Sequence, residues 1–296
     1  MRFPGILPAV TTPFDDRGDV DVTALERNIA WLVDAGVHGI VGTGTVGEAG
    51  ALSAGERRRV LEAIVGVCAG QVPVVAGVSS PTPAASIDHA TDAASTGVDG
   101  LMLLPPLLYR GDDREIEHFF RTVAEAVGLP LMVYNNPEAS GTDLPPALIA
   151  RLGERIEQVV AVKECSGDVR RIPALLHAGG GLEILVGGDD WALEGLCAGA
   201  TGWVTGVADV APHECVALFE HCRAGELEPA RELYRRMLPL ARFDMTPKLV
   251  QYFKAALDEV GQAGGATRPP RLALTDAERD DLRAALRVLR QEVPAG

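Results

Sequence analysis

The sequence has no run of about 18 apolar residues, so nothing in it reads as a membrane-spanning helix. It has only five cysteines, Cys68, Cys165, Cys197, Cys215 and Cys222, an odd number without closely spaced pairs. Neither a disulfide framework nor a zinc site is suggested. Basic charge is scarce: 27 Lys and Arg stand against 41 Asp and Glu, a formal charge of −14. Such a surface favours solubility and repels nucleic acid and anionic membranes, so neither is expected as a partner. The N-terminal stretch enters an apolar strand-like run without a basic segment ahead of it, and the expected location is cytoplasmic.

What is present is alternation. Apolar runs recur at Gly5–Val10, Gly39–Gly42, Val72–Val78, Gly100–Leu104, Pro130–Tyr134, Val159–Lys163, Glu183–Gly187 and Gly202–Val207. Runs of Val, Ile, Leu and Ala with little polar alternation are typical of parallel strands covered on both faces. The stretches between them carry helix signals. Thr23 with Glu26 and Ser53 with Glu56 read as capping boxes, and Gly36, Gly70, Gly97 and Gly128 fall where helices should stop. Eight successive βα units favour a closed (β/α)8 barrel over an open sheet, because closure leaves no edge strand. After the eighth strand come helical segments near 211–224, 226–240 and 247–259. The Gly/Pro-rich stretch Gly261–Pro270 and a last helix capped by Thr275 and Glu278 complete the chain. The expected organisation is a barrel over 1–210 and C-terminal helices over 211–296 packed on it.

In such barrels chemistry sits at the C-terminal ends of the strands. Lys163 ends a strand after four apolar residues, and a lysine there is either a snorkelling surface group paired with Glu164 or a buried nucleophile. Burial is expected to lower its pKa and supply a free amine. Tyr134 ends the preceding strand, about 4.8 Å away if the two are neighbours, where a phenol could shuttle protons. The loop Gly42–Glu48 contains a GxGxxG pattern. A dinucleotide site would need an acidic residue at the end of the next strand, which instead ends in Ser79 and Ser80. A nest of N–H groups with the Thr45 hydroxyl, shaped for a carboxylate, is the better reading. Asp189 and Asp190 lack a third ligand at metal spacing, and no metal is expected. The histidines fall mostly on helices, and Thr11 and Thr12 support the mouth.

Gly44–Glu48, Tyr134–Pro137, Val162–Glu164 and Gly187–Asp190 stand in the order and spacing of one superfamily. The chain resembles the dihydrodipicolinate synthase / N-acetylneuraminate lyase superfamily of class I aldolases over nearly its whole length. The resemblance implies an imine between Lys163 and pyruvate or another 2-oxo acid, with Tyr134 as general acid/base. It implies that Thr45 and Val46 bind the substrate carboxylate, with the Thr45 hydroxyl in the proton relay. Gly47, Gly188 and Val204 fall near the substrate, no metal or organic cofactor is needed, and the assembly is a homotetramer built as a dimer of dimers.

Departures from the pattern narrow the substrate. The arginine that binds a distal carboxylate in the synthases is replaced by Ala139, and loss of such a contact costs roughly 2–5 kcal/mol. The relay tyrosine position is Leu108, with Tyr109 one residue away. An acidic distal pocket of Glu138, Asp189 and Asp190 is expected to favour a hydroxylated or amine-bearing tail. Three functions follow: C–C cleavage or formation, elimination of water or ammonia from a sugar acid or hydroxypyrroline carboxylate through the same imine, and a silent 2-oxo-acid-binding barrel.

Overall fold

The computed structural model describes residues 2–291. Eight parallel strands, β1 (Gly5–Pro8), β2 (Ile40–Gly42), β3 (Val74–Gly77), β4 (Gly100–Leu103), β5 (Leu131–Asn135), β6 (Val159–Glu164), β7 (Glu183–Val186) and β8 (Gly202–Thr205), form one sheet. Each lies inside or within one residue of an apolar run seen in the sequence. Consecutive strands pair from β2 to β8, and β8 returns to β1. The remaining seam closes through a bridge between Ala9 and Val41, where the Val10 N–H donates to the Val41 carbonyl at 3.0 Å. The (β/α)8 barrel is thereby nearly continuous.

The intervening helices are α1 (Val22–Asp34), α2 (Ala54–Cys68), α3 (Pro83–Ser95), α4 (Asp113–Val127), the single turn α5 (Pro137–Ser140), α6 (Pro146–Arg155), α7 (Arg171–Ala178) and α8 (Ala192–Cys197). The tail adds α9 (Pro212–Ala224), α10 (Leu227–Ala241), α11 (Leu249–Glu259) and α12 (Asp276–Leu289). The boxes at Ser53–Glu56 and Thr275–Glu278 form as expected. The Thr23 box does not. Asp21 caps α1 instead, accepting from the Ala24 N–H, so Thr23 lies inside the first turn. An aspartate two residues upstream supplies the same acceptor, and it satisfies the first free amides before Thr23 can.

The tail is fastened to the barrel by specific contacts. Asn28 of α1 exchanges two hydrogen bonds with the backbone of Ala263, at 2.7 and 3.1 Å. Arg268 reaches the Gly18 and Ala51 carbonyls and the Glu56 carboxylate. Gly265 has φ +70°, and a Cβ there would lie 2.7 Å from the Phe14 carbonyl oxygen, so the loop can lie this close only with glycine. The deepest of these links joins Lys254 of α11 to Glu48, with an N–O distance of 2.8 Å and side chains 1% and 0% exposed.

Candidate active site

Lys163 and Tyr134 are register partners on β6 and β5, so the pleat sends both side chains to the same side, into the barrel. Both are buried, and the lysine Nζ lies 4.3 Å from the centre of the phenol ring. Glu164, one residue on, points the other way. Its carboxylate accepts from Asn135 Nδ2 at 3.0 Å and from the Ser166 N–H at 2.6 Å, which leaves no pairing with Lys163. Close approach at the strand end depends on Gly187, where a Cβ would come within 3.0 Å of the Lys163 Cε.

The two groups line a cavity of about 200 Å³ together with Thr45, Val46, Glu138, Ala139 and Val204. The Gly42–Glu48 loop does not open a helix. It bends back on itself through Glu48 N–H to Thr45 O at 3.1 Å and Ala49 N–H to Gly44 O at 3.2 Å, then makes a 3-10 turn at Ala49–Ala51. α2 begins only at Ala54, so no helix N-terminus stands behind these glycines for a pyrophosphate. Among the described residues, the N–H groups of Thr45 and Val46 donate to no protein acceptor, which leaves two adjacent donors at the cavity wall.

Other expected site residues lie elsewhere. Asp189 is fully buried behind the wall, where its carboxylate accepts from Trp203 Nε1 and from the Val207 N–H, both at 2.9 Å. It braces the β7 and β8 loops and does not line the cavity. Asp190 does not line it either, and its Oδ1 is buried without a partner. Gly188 is displaced by one residue from the lining position, which Gly187 takes; a Cβ on Gly188 would meet Trp191 Nε1 at 2.1 Å. Gly47 sits behind the loop, its carbonyl accepting from Thr12 Oγ1 at 2.8 Å. Tyr109 is half exposed and donates to Glu115 at 3.1 Å, outside the cavity. The acidic pair therefore does not form the distal pocket, because backbone and indole donors inside the fold hold Asp189 inward.

Several lining groups received no role from the sequence reading. Asn136 donates from Nδ2 to the Tyr134 hydroxyl at 2.9 Å and so orients the phenol oxygen. Gly187 stood inside the quoted Gly187–Asp190 motif and Cys165 directly after Val162–Glu164, yet neither was assigned to the site. Asp244 carried no signal at all. It lies in the 3-10 segment Arg242–Met245 between α10 and α11, a tail element that the strand-end rule does not search.

The electrostatics also differ from expectation. Burial favours the neutral Lys163 amine, but Tyr134, Cys165 and Asp244 outweigh it, and its pKa lies above the usual lysine value. The resting amine is therefore an ammonium ion. Burial raises the Tyr134 phenol, pushes the Cys165 thiol up to about 12 and pushes the Asp244 carboxyl up to about 6. At neutral pH phenol and thiol are uncharged, and Asp244 is mostly ionised.

A (β/α)8 barrel with a buried lysine beside a phenol at its mouth defines a lyase of the class I aldolase type. The family model described as the dihydrodipicolinate synthetase family matches residues 2–289, and the chain belongs to that family. It is 36% identical over 286 residues to a 4-hydroxy-tetrahydrodipicolinate synthase of Methanothrix thermoacetophila, covering 96% of each chain. It is also 36% identical to an uncharacterized DapA-like lyase of Halobacterium salinarum, over 95% of this chain and 92% of that one. A crystal structure of a chloride-inhibited dihydrodipicolinate synthase from Acinetobacter baumannii complexed with pyruvate superposes with a TM-score of 0.91 at 29% identity, covering 97% of this chain and 99% of that one. Among the described residues, no helix is long and apolar enough to cross a membrane.

Proposed function

We propose that the protein forms an imine between Lys163 and a 2-oxo acid and cleaves or forms a C–C bond of a hydroxylated 2-oxo acid. The observation that carries this reading is the buried Lys163–Tyr134 pair lining one small cavity with Thr45 and Val46, whose N–H groups have no acceptor among the described residues. A substrate carboxylate on those N–H groups would bring its 2-oxo carbon toward the lysine. The neutral amine adds to the carbonyl, water leaves, and the resulting iminium accepts electrons. Tyr134 protonates the hydroxyl that departs as water. In cleavage the phenolate so formed takes the proton of the 4-hydroxyl, the C3–C4 bond breaks and an aldehyde departs. The enamine is then protonated at C3, and water releases pyruvate. No cofactor beyond the covalent imine is required.

Incubation with pyruvate and cyanoborohydride, followed by intact mass and peptide mapping, tests the first step. A stable adduct at Lys163 is expected, whereas an unmodified protein would mean a silent barrel. Because the resting amine is protonated, the trapping rate should rise with pH. The free-amine fraction grows about tenfold per pH unit below the lysine pKa. A rate that is flat between pH 6 and 9 would mean that deprotonation is not limiting. Tyr134→Phe should lower kcat by roughly 10²–10⁴-fold while leaving a slow route to the adduct. A steady-state assay beside the trapping assay separates these effects.

Ala139 puts no cation where the synthases hold a distal carboxylate, so condensation with an aldehyde that carries such a carboxylate is not the proposed reaction. The half-exposed Tyr109 lies outside the cavity of its own chain, which keeps elimination of water or ammonia as the second reading. Products decide between them: pyruvate plus an aldehyde, or a longer oxo acid. The same proposal places a second copy of the chain against the exposed Leu108–Tyr109 tip, in a tetramer that light scattering would detect.

A further inference from the structure

We propose that Asp244 selects the distal end of the substrate, admitting tails that donate hydrogen bonds and rejecting tails that carry a carboxylate. The proposal rests on the imine at Lys163. Asp244 reaches the cavity from the tail, on the strap Arg242–Met245, while the neighbouring Met245 is exposed. Thr246, Pro247 and Leu249 follow it along the same wall. One carboxylate oxygen accepts a long bond from the Asp189 N–H at 3.3 Å. Among the described residues, the other has no protein donor, so the group arrives with an acceptor to spare.

Charge decides the preference. Among the described residues Lys163 is the one cationic residue lining the cavity. Once its pyruvate iminium loses the C3 proton to give the enamine that attacks the aldehyde, that nitrogen carries no charge. The substrate's own carboxylate is accounted for by the Thr45 and Val46 N–H groups. A second carboxylate would face Asp244 and Glu138 with no cation to pair with, in a confined space where like charges repel strongly. A hydroxyl at the same place donates to the free oxygen of Asp244 and removes no charge from water. Discrimination of this kind combines an attraction with a repulsion.

An adjoining chamber gives the opposite chemistry. It shares Gly44, Thr45, Tyr134 and Ala139 with the cavity and is lined further out by Arg57 and His89. The Arg57 guanidinium donates to the Ala49 and Gly77 carbonyls and has no carboxylate within bonding distance among the described residues. An anionic tail would have to turn there, away from the strap.

The test is the condensation of pyruvate with D-glyceraldehyde, a hydroxylated aldehyde, against succinic semialdehyde, an anionic one. Wild type should favour glyceraldehyde in kcat/KM by about tenfold or more. Asp244→Asn should shrink that ratio by about tenfold, chiefly by accelerating the anionic aldehyde, and Asp244→Ser should act in the same direction. The ratio is independent of the fraction of active protein, so partial misfolding cannot mimic the shift. Trapping with pyruvate and cyanoborohydride runs alongside. An intact adduct with an unchanged ratio in both variants overturns the role of Asp244 alone. A wild type that prefers succinic semialdehyde also overturns it, and moves the tail to the Arg57 chamber. Absence of any pyruvate adduct in wild type overturns the imine, and the selection with it.

Discussion

Lys163→Met is expected to abolish adduct formation with pyruvate and to lower kcat/KM by on the order of 10⁴-fold or more, with little change in stability. Methionine fills nearly the same volume but offers no nucleophile, and no neighbour can take its place. Among the described residues the lining set holds no other amine, and the Cys165 thiol, pushed up to about 12, stays protonated. The stability half of the expectation follows from the surroundings. Lys163 lies over the Tyr134 ring and, among the described residues, has no carboxylate within salt-bridge distance. Its removal therefore leaves no anion stranded in direct contact, and a change within about 1 kcal/mol is expected from urea unfolding. Retained turnover in the variant would mean that the chemistry does not pass through this nitrogen.

The second buried lysine behaves in the opposite way. Lys254→Met should cost roughly 3–5 kcal/mol of stability, because it strands the Glu48 carboxylate in a site with 0% exposure. Lys254 donates to Glu48 at 2.8 Å and to the Ala266 carbonyl at 2.6 Å, and it lies 4.3 Å from the centre of the Phe14 ring. Among the described residues only the Arg268 N–H at 3.1 Å and the Arg271 guanidinium at 3.4 Å would remain for the carboxylate. Lys254→Met with Glu48→Gln should recover much of the loss, since a neutral amide still accepts from the Arg268 N–H without leaving a charge buried. A melting-point drop of roughly 5–15 °C in the single variant, partly reversed in the double, is the expected calorimetric result. Equal destabilisation in both variants would show that the charge is not what matters. Glu48 has φ +54° and closes the loop that presents Thr45 and Val46, so this pair ties tail docking to the shape of the cavity wall.

Several particulars of the site were legible from the sequence because they depend on short-range rules. The strand ends at Lys163 and Tyr134 follow from apolar runs, and their common inward direction follows from the alternation of a strand. Glu164 had to point away once Lys163 pointed in. The N–H nest of the Gly42–Glu48 loop was readable from its glycines and from the missing acidic residue after β3. The loops behaved differently. Asp189 and Asp190 stand at a strand end like Lys163, yet Asp189 turns inward because Trp203 and Val207 present donors to it from β8 and the turn beyond. The cap of α1 moved from Thr23 to Asp21 because two neighbouring residues could both accept, and backbone geometry chose one. The state of the Lys163 amine also reversed, because burial alone predicts a neutral group while Tyr134, Cys165 and Asp244 together favour the charged one.

By itself the sequence determined the barrel, the positions of its eight strands and the lysine and phenol that close on one space. Those features follow from periodicities of two and 3.6 residues, which each segment carries within itself. Only the tertiary structure decided which acids face the substrate space. The strap with Asp244 is brought there by the docking of α10 and α11, and that docking depends on contacts such as Lys254–Glu48 between residues far apart in the chain. No local pattern encodes such a contact, because its energy exists only after both partners are buried together.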